Sequence, residues 1–274
     1  MTQPHPYFAY RFCIILILTA SLTGCAGMLD PTIPESAPMS PSPSPTATIV
    51  WFPPSETPTD QVPVEAAATP ERKPGIGDIL LMDDFSSPDL WDTVASDQAT
   101  VAVGGNILSI AVQPGYSIAS FRKDITVGDF YAEITASPSL CQGQDEYGFI
   151  FRAPNRVGYY RFTLTCDGRA RLDRISVSTH EPLQPPMLSG DVPPGAPGQV
   201  RLGVWAVGSD LRFFLNDRYQ FSVNDRNYFS GGIGVFAHAV AATPVTVVFS
   251  NLVLYTVNYS PPLGTPGPKG TPKP

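Results

Sequence analysis

The chain has 274 residues, a formal net charge of −7 and 31 prolines. That acidity excludes nucleic acid as a partner, because binding to polyphosphate needs a basic surface. No Cys-x-x-Cys pair or Cys/His cluster occurs, which removes a zinc site.

In chain order, Arg11 precedes the apolar run Phe12 to Ala20, broken only at Thr19 and trailing to Leu22. The run is shorter than the ~20 residues a membrane span needs and suits the core of a secretory signal. It ends in Leu22-Thr23-Gly24-Cys25, which resembles the bacterial lipobox. The resemblance implies that residues 1–24 are a lipoprotein signal peptide and that Cys25 becomes a lipid-anchored N-terminus. Two or more acyl chains hold a protein on a bilayer where one does so only marginally. The expected location is therefore extracytoplasmic, at the cell surface, with the membrane as a partner through the anchor.

Residues 25–75 read as a disordered tether rich in Pro, Ser and Thr, including Pro41-Ser42-Pro43-Ser44-Pro45. Such a composition buries too little apolar surface to offset chain entropy. At ~3 Å per residue its reach approaches ~100 Å or more. Ile49-Val50-Trp51-Phe52 is its one apolar island. Residues 260–274, with Lys269 and Lys273 among Pro and Gly, read as a second disordered segment.

Between them, residues 76–259 are a succession of short β-runs separated by turn residues, with no helical period in a window of ordinary length. Regular turn spacing without helices predicts an all-β, two-sheet antiparallel jelly-roll sandwich. The last run, Val245–Val257, is long and is expected to bend near Ser250-Asn251.

Two hairpins can be set in register. A four-residue loop at Ala153–Arg156 places Phe149 opposite Tyr160 and Tyr147 opposite Phe162 on an apolar face. Ile150, Tyr159, Arg161 and Glu146 fall on the other face. Cys166 then faces Gly143, a diagonal neighbour of Cys141, which predicts a Cys141–Cys166 disulfide in an oxidising compartment. In the second hairpin, a turn at Gly208-Ser209 puts Leu202, Val204 and Ala206 opposite Leu215, Phe213 and Leu211 as core. Trp205, Arg212, Phe214, Tyr219 and Phe221 are expected on the opposite face.

The pieces Asp83-Asp84-Phe85-Ser86-Ser87-Pro88 with Trp91, Tyr147–Arg152, Tyr159–Phe162, Leu211–Asn216, Gly231–Phe236 and Val247–Leu252 together resemble the concanavalin A-like lectin/glucanase superfamily. That group includes laminin G-type domains and family 16 glycoside hydrolases. The resemblance implies two packed antiparallel sheets, one curved, with carbohydrate often held on the concave side. The hydrolase signature Glu-x-Asp-x-x-Glu is missing: Glu133 stands without the other two carboxylates and reads as a solvated or ion-paired strand residue. Some relatives bind calcium through an acidic opening strand and a closing Asp. Asp83 and Asp84 match in type, but Ser250-Asn251 does not, so no cofactor is expected, with calcium the alternative.

The expected function is a non-catalytic carbohydrate-binding module for a polysaccharide or cell-envelope glycan. Tyr159, Arg161, Trp205, Arg212, Phe214 and Tyr219 are its candidate ligand-binding residues, since sugar C–H faces stack on rings while guanidinium donates to hydroxyls. The rival expectations are a laminin G-like protein-interaction or envelope-scaffolding module and a divergent glycoside hydrolase. The face carrying Trp205 is expected to form an open, concave platform with Trp205 and Arg212 side by side, and whether it is open depends on residues 176–199, whose prolines predict an irregular loop that either covers Trp205 or lies along an edge.

Overall fold

A computed structural model describes residues 71–260. Cys25, the predicted signal peptide 1–24, the tether up to residue 70 and the tail from residue 261 lie outside the described residues.

The described chain folds as fifteen strands: β1 (Ile76–Asp83), β2 (Val94–Ala95), β3 (Ala99–Gly104), β4 (Ile107–Val112), β5 (Ser117–Phe121), β6 (Phe130–Leu140), β7 (Glu146–Asn155), β8 (Gly158–Thr165), β9 (Arg169–Ile175), β10 (His180–Leu188), β11 (Val200–Val207), β12 (Asp210–Leu215), β13 (Arg218–Asn224), β14 (Gly232–His238) and β15 (Val245–Val257). A single 3-10 turn spans Pro88–Leu90. The strands form two antiparallel sheets. One has nine strands in the order β13-β12-β11-β6-β15-β4-β3-β2, with β1 on β15; the other has six, β10-β9-β8-β7-β14-β5.

Strand alternation sends every second residue inward, and the two inner faces share one core. Phe149, Phe151, Tyr160 and Phe162 from the six-stranded sheet meet Leu202, Val204, Leu211 and Phe213 from the nine-stranded sheet. The predicted register of β11 and β12 is observed residue for residue, from Leu202↔Leu215 to Val207↔Asp210. The expected bend in β15 is also present: Asn251 has φ +53°, and pairing with β6 shifts between Ser250 and Val253.

Three expectations are corrected. The β7–β8 hairpin pairs Phe149 with Phe162 and Tyr147 with Leu164, two residues away from the predicted register. The chain turns tightly between Asn155 and Gly158, with the Asn155 Oδ1 accepting from the Val157 and Gly158 amides, and the extra length is absorbed around Arg152 at φ +47°. A slip of two residues keeps every side chain on its face, so the core assignment survives. Next, a bulge at Gln220 moves Phe221 from the predicted outer face to the core, where it stacks on Phe213 at 4.8 Å. Finally, residues 176–199 are not wholly irregular. His180–Leu188 is an edge strand, and its prolines are tolerated there because the outer backbone positions make no ladder bonds.

The Asp83–Trp91 motif is a structural staple. Asp83 Oδ1 accepts from the Phe85 amide at 2.8 Å, which holds Phe85 at φ +58°. Its Oδ2 accepts from the Trp91 indole at 2.8 Å and pairs with Arg122. Arg152, fully buried, donates to the carbonyls of Gly128, Gly208 and Tyr228 and so ties three loops at one end of the sandwich.

Cys141 and Cys166 are joined as a disulfide with a Cα–Cα separation of 5.9 Å. It connects the β6–β7 loop to the end of β8 and closes a 25-residue separation. Replacing both cysteines with serine is expected to lower unfolding stability by about 3 kcal/mol in urea titration without reductant. An unchanged midpoint would show that the bond is not formed in the folded protein.

Candidate functional site

The six candidate residues do not converge. Trp205, Arg212, Phe214 and Tyr219 lie on the outer face of the nine-stranded sheet, whereas Tyr159 and Arg161 lie on β8, on the outer face of the six-stranded sheet. The core separates these two faces.

The nine-stranded face is closed. The Trp205 side chain has 0% of its surface exposed, which corrects the expectation of an open stacking platform. Its cover is not residues 176–199 but the chain immediately before β1. Trp205 Nε1 donates to the Pro74 carbonyl at 3.0 Å, and Arg212 Nη1 donates to the Arg72 carbonyl at 3.1 Å. Lys73 Nζ sits 4.8 Å from the Tyr131 ring centre and 5.2 Å from that of Phe214, and it pairs with Asp217 at 3.2 Å. The Arg72 guanidinium lies 4.5 Å over Tyr219. Tyr259, from the other end of the domain, packs edge-on against Trp205 at 5.6 Å. Tyr131, Trp205, Val207, Phe214 and Val257 thus form a small second core under residues 71–75. Glu133, half-buried on β6, accepts from the Tyr131 hydroxyl at 2.6 Å.

The six-stranded face holds a charged network that sequence reading found only in part. Arg161 is its centre, with its guanidinium 4.7 Å over the Phe236 ring. Its Nη2 lies 3.7 Å from Glu146 Oε2 and 3.5 Å from Asp173 Oδ2. Arg171 bridges the same two carboxylates, with Nη2 to Glu146 and Nε to Asp173, both at 2.8 Å. Thr163 donates to Asp173 at 3.2 Å. His180 Nε2 stands 3.0 Å from Asp173, and His238 Nδ1 stands 3.3 Å from Glu146.

Beside this network a cleft of about 330 Å³ is lined by Glu146, Thr165, Asp167, Arg169, Arg171 and Pro186, among others. Asp167 and Arg169 pair at 3.0 Å along its wall. Toward the other end of β8, Tyr159 meets Phe121 edge-on at 5.8 Å, and both rings are partly exposed. Burial pushes the Glu146 carboxyl upward, but the hydrogen bond with His238 and the charges of Arg171 and Arg161 outweigh it and hold it below the usual carboxylate range. Glu146, Arg171 and Asp173 were missed because their meeting depends on the β7–β8–β9 register. The available signal was the alternation Arg169-Ala170-Arg171-Leu172-Asp173, which puts three charges on one strand face.

The acidic opening strand offers calcium little, because both Asp83 oxygens are engaged by Arg122, Trp91 and Phe85. Among the described residues, no group of three or more His, Cys, Asp or Glu is placed to hold a metal ion.

No protein-family model matches the sequence, and no curated protein is similar to it. Solved structures are similar in fold. A protein of unknown function with a galectin-like fold from Bacillus subtilis aligns with TM-score 0.50 and 12% identity, over 67% of this chain and 99% of that one. Carbohydrate binding module CBM66 from Bacillus subtilis aligns with TM-score 0.49 and 16% identity, over 61% of this chain and 96% of that one. A Bacteroides ovatus GH16 protein of a mixed-linkage glucan locus aligns with TM-score 0.49 and 10% identity, over 64% and 100%. The domain therefore shares its fold, an antiparallel two-sheet sandwich, with that galectin-like protein. Identities this low speak to fold alone.

If residues 71–75 close the nine-stranded face, the fluorescence attributable to Trp205, taken as wild type minus Trp205→Phe, should resist acrylamide. It should become quenchable when Arg72 and Lys73 are both replaced by alanine, because their cation–π contacts each contribute about 0.5–1 kcal/mol at exposed sites. Equal quenching in the two proteins would assign the cover elsewhere.

Proposed function

We propose that the chain is an exported lipoprotein, anchored at Cys25, whose jelly-roll domain binds carbohydrate without catalysis on the outer face of the six-stranded sheet. The observation that carries this reading is the network of Glu146, Arg161, Arg171 and Asp173 at the edge of an open cleft, with Tyr159 and Phe121 partly exposed on the same face. Guanidinium groups held in place by Glu146 and Asp173 present fixed donors, and the partly exposed Asp167 on the cleft wall offers an acceptor. A ring of hydroxyls is read by that combination, while an adjacent aromatic ring takes the apolar face of a sugar. A volume of about 330 Å³ is in the range of small-molecule sites.

The hydrolase reading has less support. A general acid must be protonated near neutral pH, and Glu146 is held in the opposite direction. The buried Trp205 favours a second reading, a protein-interaction or scaffolding module, because it removes the larger aromatic surface from any glycan.

A glycan array probed with full-length protein in a sugar-free detergent separates these readings. Retention that Arg161→Ala lowers at least about tenfold, the loss of one charge-assisted pair, supports the first. Retention without dependence on Arg161, or none, with a protein recovered by cross-linking, supports the second. Release of sugar supports the hydrolase. The anchor is tested separately: Cys25→Ser is expected to abolish incorporation of labelled fatty acid, and a wild-type protein that takes up no label would end the lipoprotein assignment.

A further inference from the structure

The charge balance of the same face narrows its ligand. Three arginines, Arg161, Arg169 and Arg171, stand at the cleft and the network beside it, and three carboxylates, Glu146, Asp167 and Asp173, oppose them. Every arginine already has a carboxylate partner: Arg169 pairs with Asp167, Arg171 with Glu146 and Asp173, and Arg161 with the same two. The guanidinium groups are therefore positioned as hydrogen-bond donors whose charge is locally neutralised. They are not bare cations awaiting an anion.

Resting on the carbohydrate-binding reading above, we infer that the face selects an uncharged glycan and rejects both uronate- or sulfate-bearing and amine-bearing polymers. A ligand carboxylate entering the cleft gains Arg171 only by approaching Glu146, whose oxygen lies 2.8 Å from the same guanidinium. His238, Arg171 and Arg161 hold the Glu146 carboxyl below the usual carboxylate range, which opposes relief of that encounter by protonation. A ligand ammonium meets the mirror problem, since each carboxylate it would pair with is already bound to one or two arginines. Hydroxyl groups incur neither repulsion. They accept from the guanidinium N–H groups, donate to carboxylate lone pairs and leave the ion pairs in place. As neutral imidazoles, His238 beside Glu146 and His180 beside Asp173 leave this balance unchanged, whereas each one protonated would add a cation.

Residue Asp167 offers a gain-of-binding test, because its partner Arg169 lies on the cleft wall and both side chains are partly exposed. Asp167→Asn would leave Arg169 as an unpaired cation facing the ligand without touching the buried part of the network.

The experiment is affinity electrophoresis and calorimetry on the full-length protein in a sugar-free detergent. The uncharged polymers are a β-glucan, a mannan, a galactan and a fructan; the charged ones are polygalacturonate, alginate, heparin and chitosan. The inference expects at least one uncharged polymer to bind at least about tenfold more tightly than every charged one, with little change between low and high salt. It also expects Arg161→Ala and Arg171→Ala each to lower that binding at least about tenfold while the thermal melt stays cooperative. Asp167→Asn should raise affinity for polygalacturonate at least about threefold, an effect that salt removes. If a charged polymer binds best and Arg171→Ala abolishes it, the selectivity is wrong while the site stands. If no polymer binds, or binding ignores both arginines, the site and the selectivity fall together. If Asp167→Asn leaves polygalacturonate binding unchanged, charge balance is not what excludes it.

Discussion

Phe213 joins the two sheets, and most of the structure follows from its place. Its ring lies 4.9 Å from Phe162 and 6.0 Å from Phe151 in the facing sheet, and 4.8 Å from Phe221 on the neighbouring strand. Such a cluster buries several aromatic side chains at once, each worth about 1.5–3 kcal/mol by area. Once Phe213 points inward, alternation allows no freedom to Arg212 and Phe214: both must point outward. The same rule applied to Phe149 and Phe162 sends Ile150, Arg161 and Thr163 to the far outer face. The positions of the candidate residues are consequences of this shared core.

That dependence explains what could be read without coordinates. The β11–β12 register was legible because a two-residue turn leaves only one way to bring Leu202, Val204 and Ala206 against apolar partners. The β7–β8 register was legible in its faces but not in its pairing, because a bulge at Arg152 shifts the count by two and returns the same alternation. The bulge at Gln220 was not legible. It shifts the count by one, so Phe221 changes face, and nothing in Tyr219-Gln220-Phe221 announces it. Edge strand β10 was hidden by Pro182, Pro185 and Pro186, which argue against a central strand but not against an edge. The network around Arg161 requires three strands in correct register at once, so a single error in one hairpin was enough to conceal it.

The burial of Trp205 has a different cause. Nothing in strand periodicity distinguishes an aromatic outer face that awaits a ligand from one covered by its own chain. The distinction lies in Arg72, Lys73 and Pro74, which compositional reading assigned to the tether. Two cations over three rings and two carbonyls accepting from Trp205 and Arg212 make a specific fit. The docked segment also steadies β1, a strand with most of its side chains exposed and β15 as its partner in the sheet. The amide of Asn258 donates to the Gly75 carbonyl at 2.8 Å, so the C-terminal end of the domain is fastened at the same place.

The two outer faces thus satisfy their polar and aromatic groups by opposite means, and this decides which can serve a ligand. On the nine-stranded sheet the partner is covalently attached. Its effective concentration is fixed and high, so an outside ligand would have to displace a segment that can always rebind. On the six-stranded sheet the partners are side chains of the sheet itself, arginine against carboxylate, and nothing need be displaced for hydroxyls to join the pattern. A network that is complete in charge still has hydrogen-bonding capacity left over: Arg169, paired with Asp167 through its Nε, keeps 44% of its side chain exposed and its remaining N–H donors free to face a ligand. Tyr159 and Phe121, along the same face, keep part of their rings in solvent. Charge satisfaction inside the sheet, combined with spare donors and partly exposed rings at its surface, sets this face apart from the one the chain has closed with its own residues.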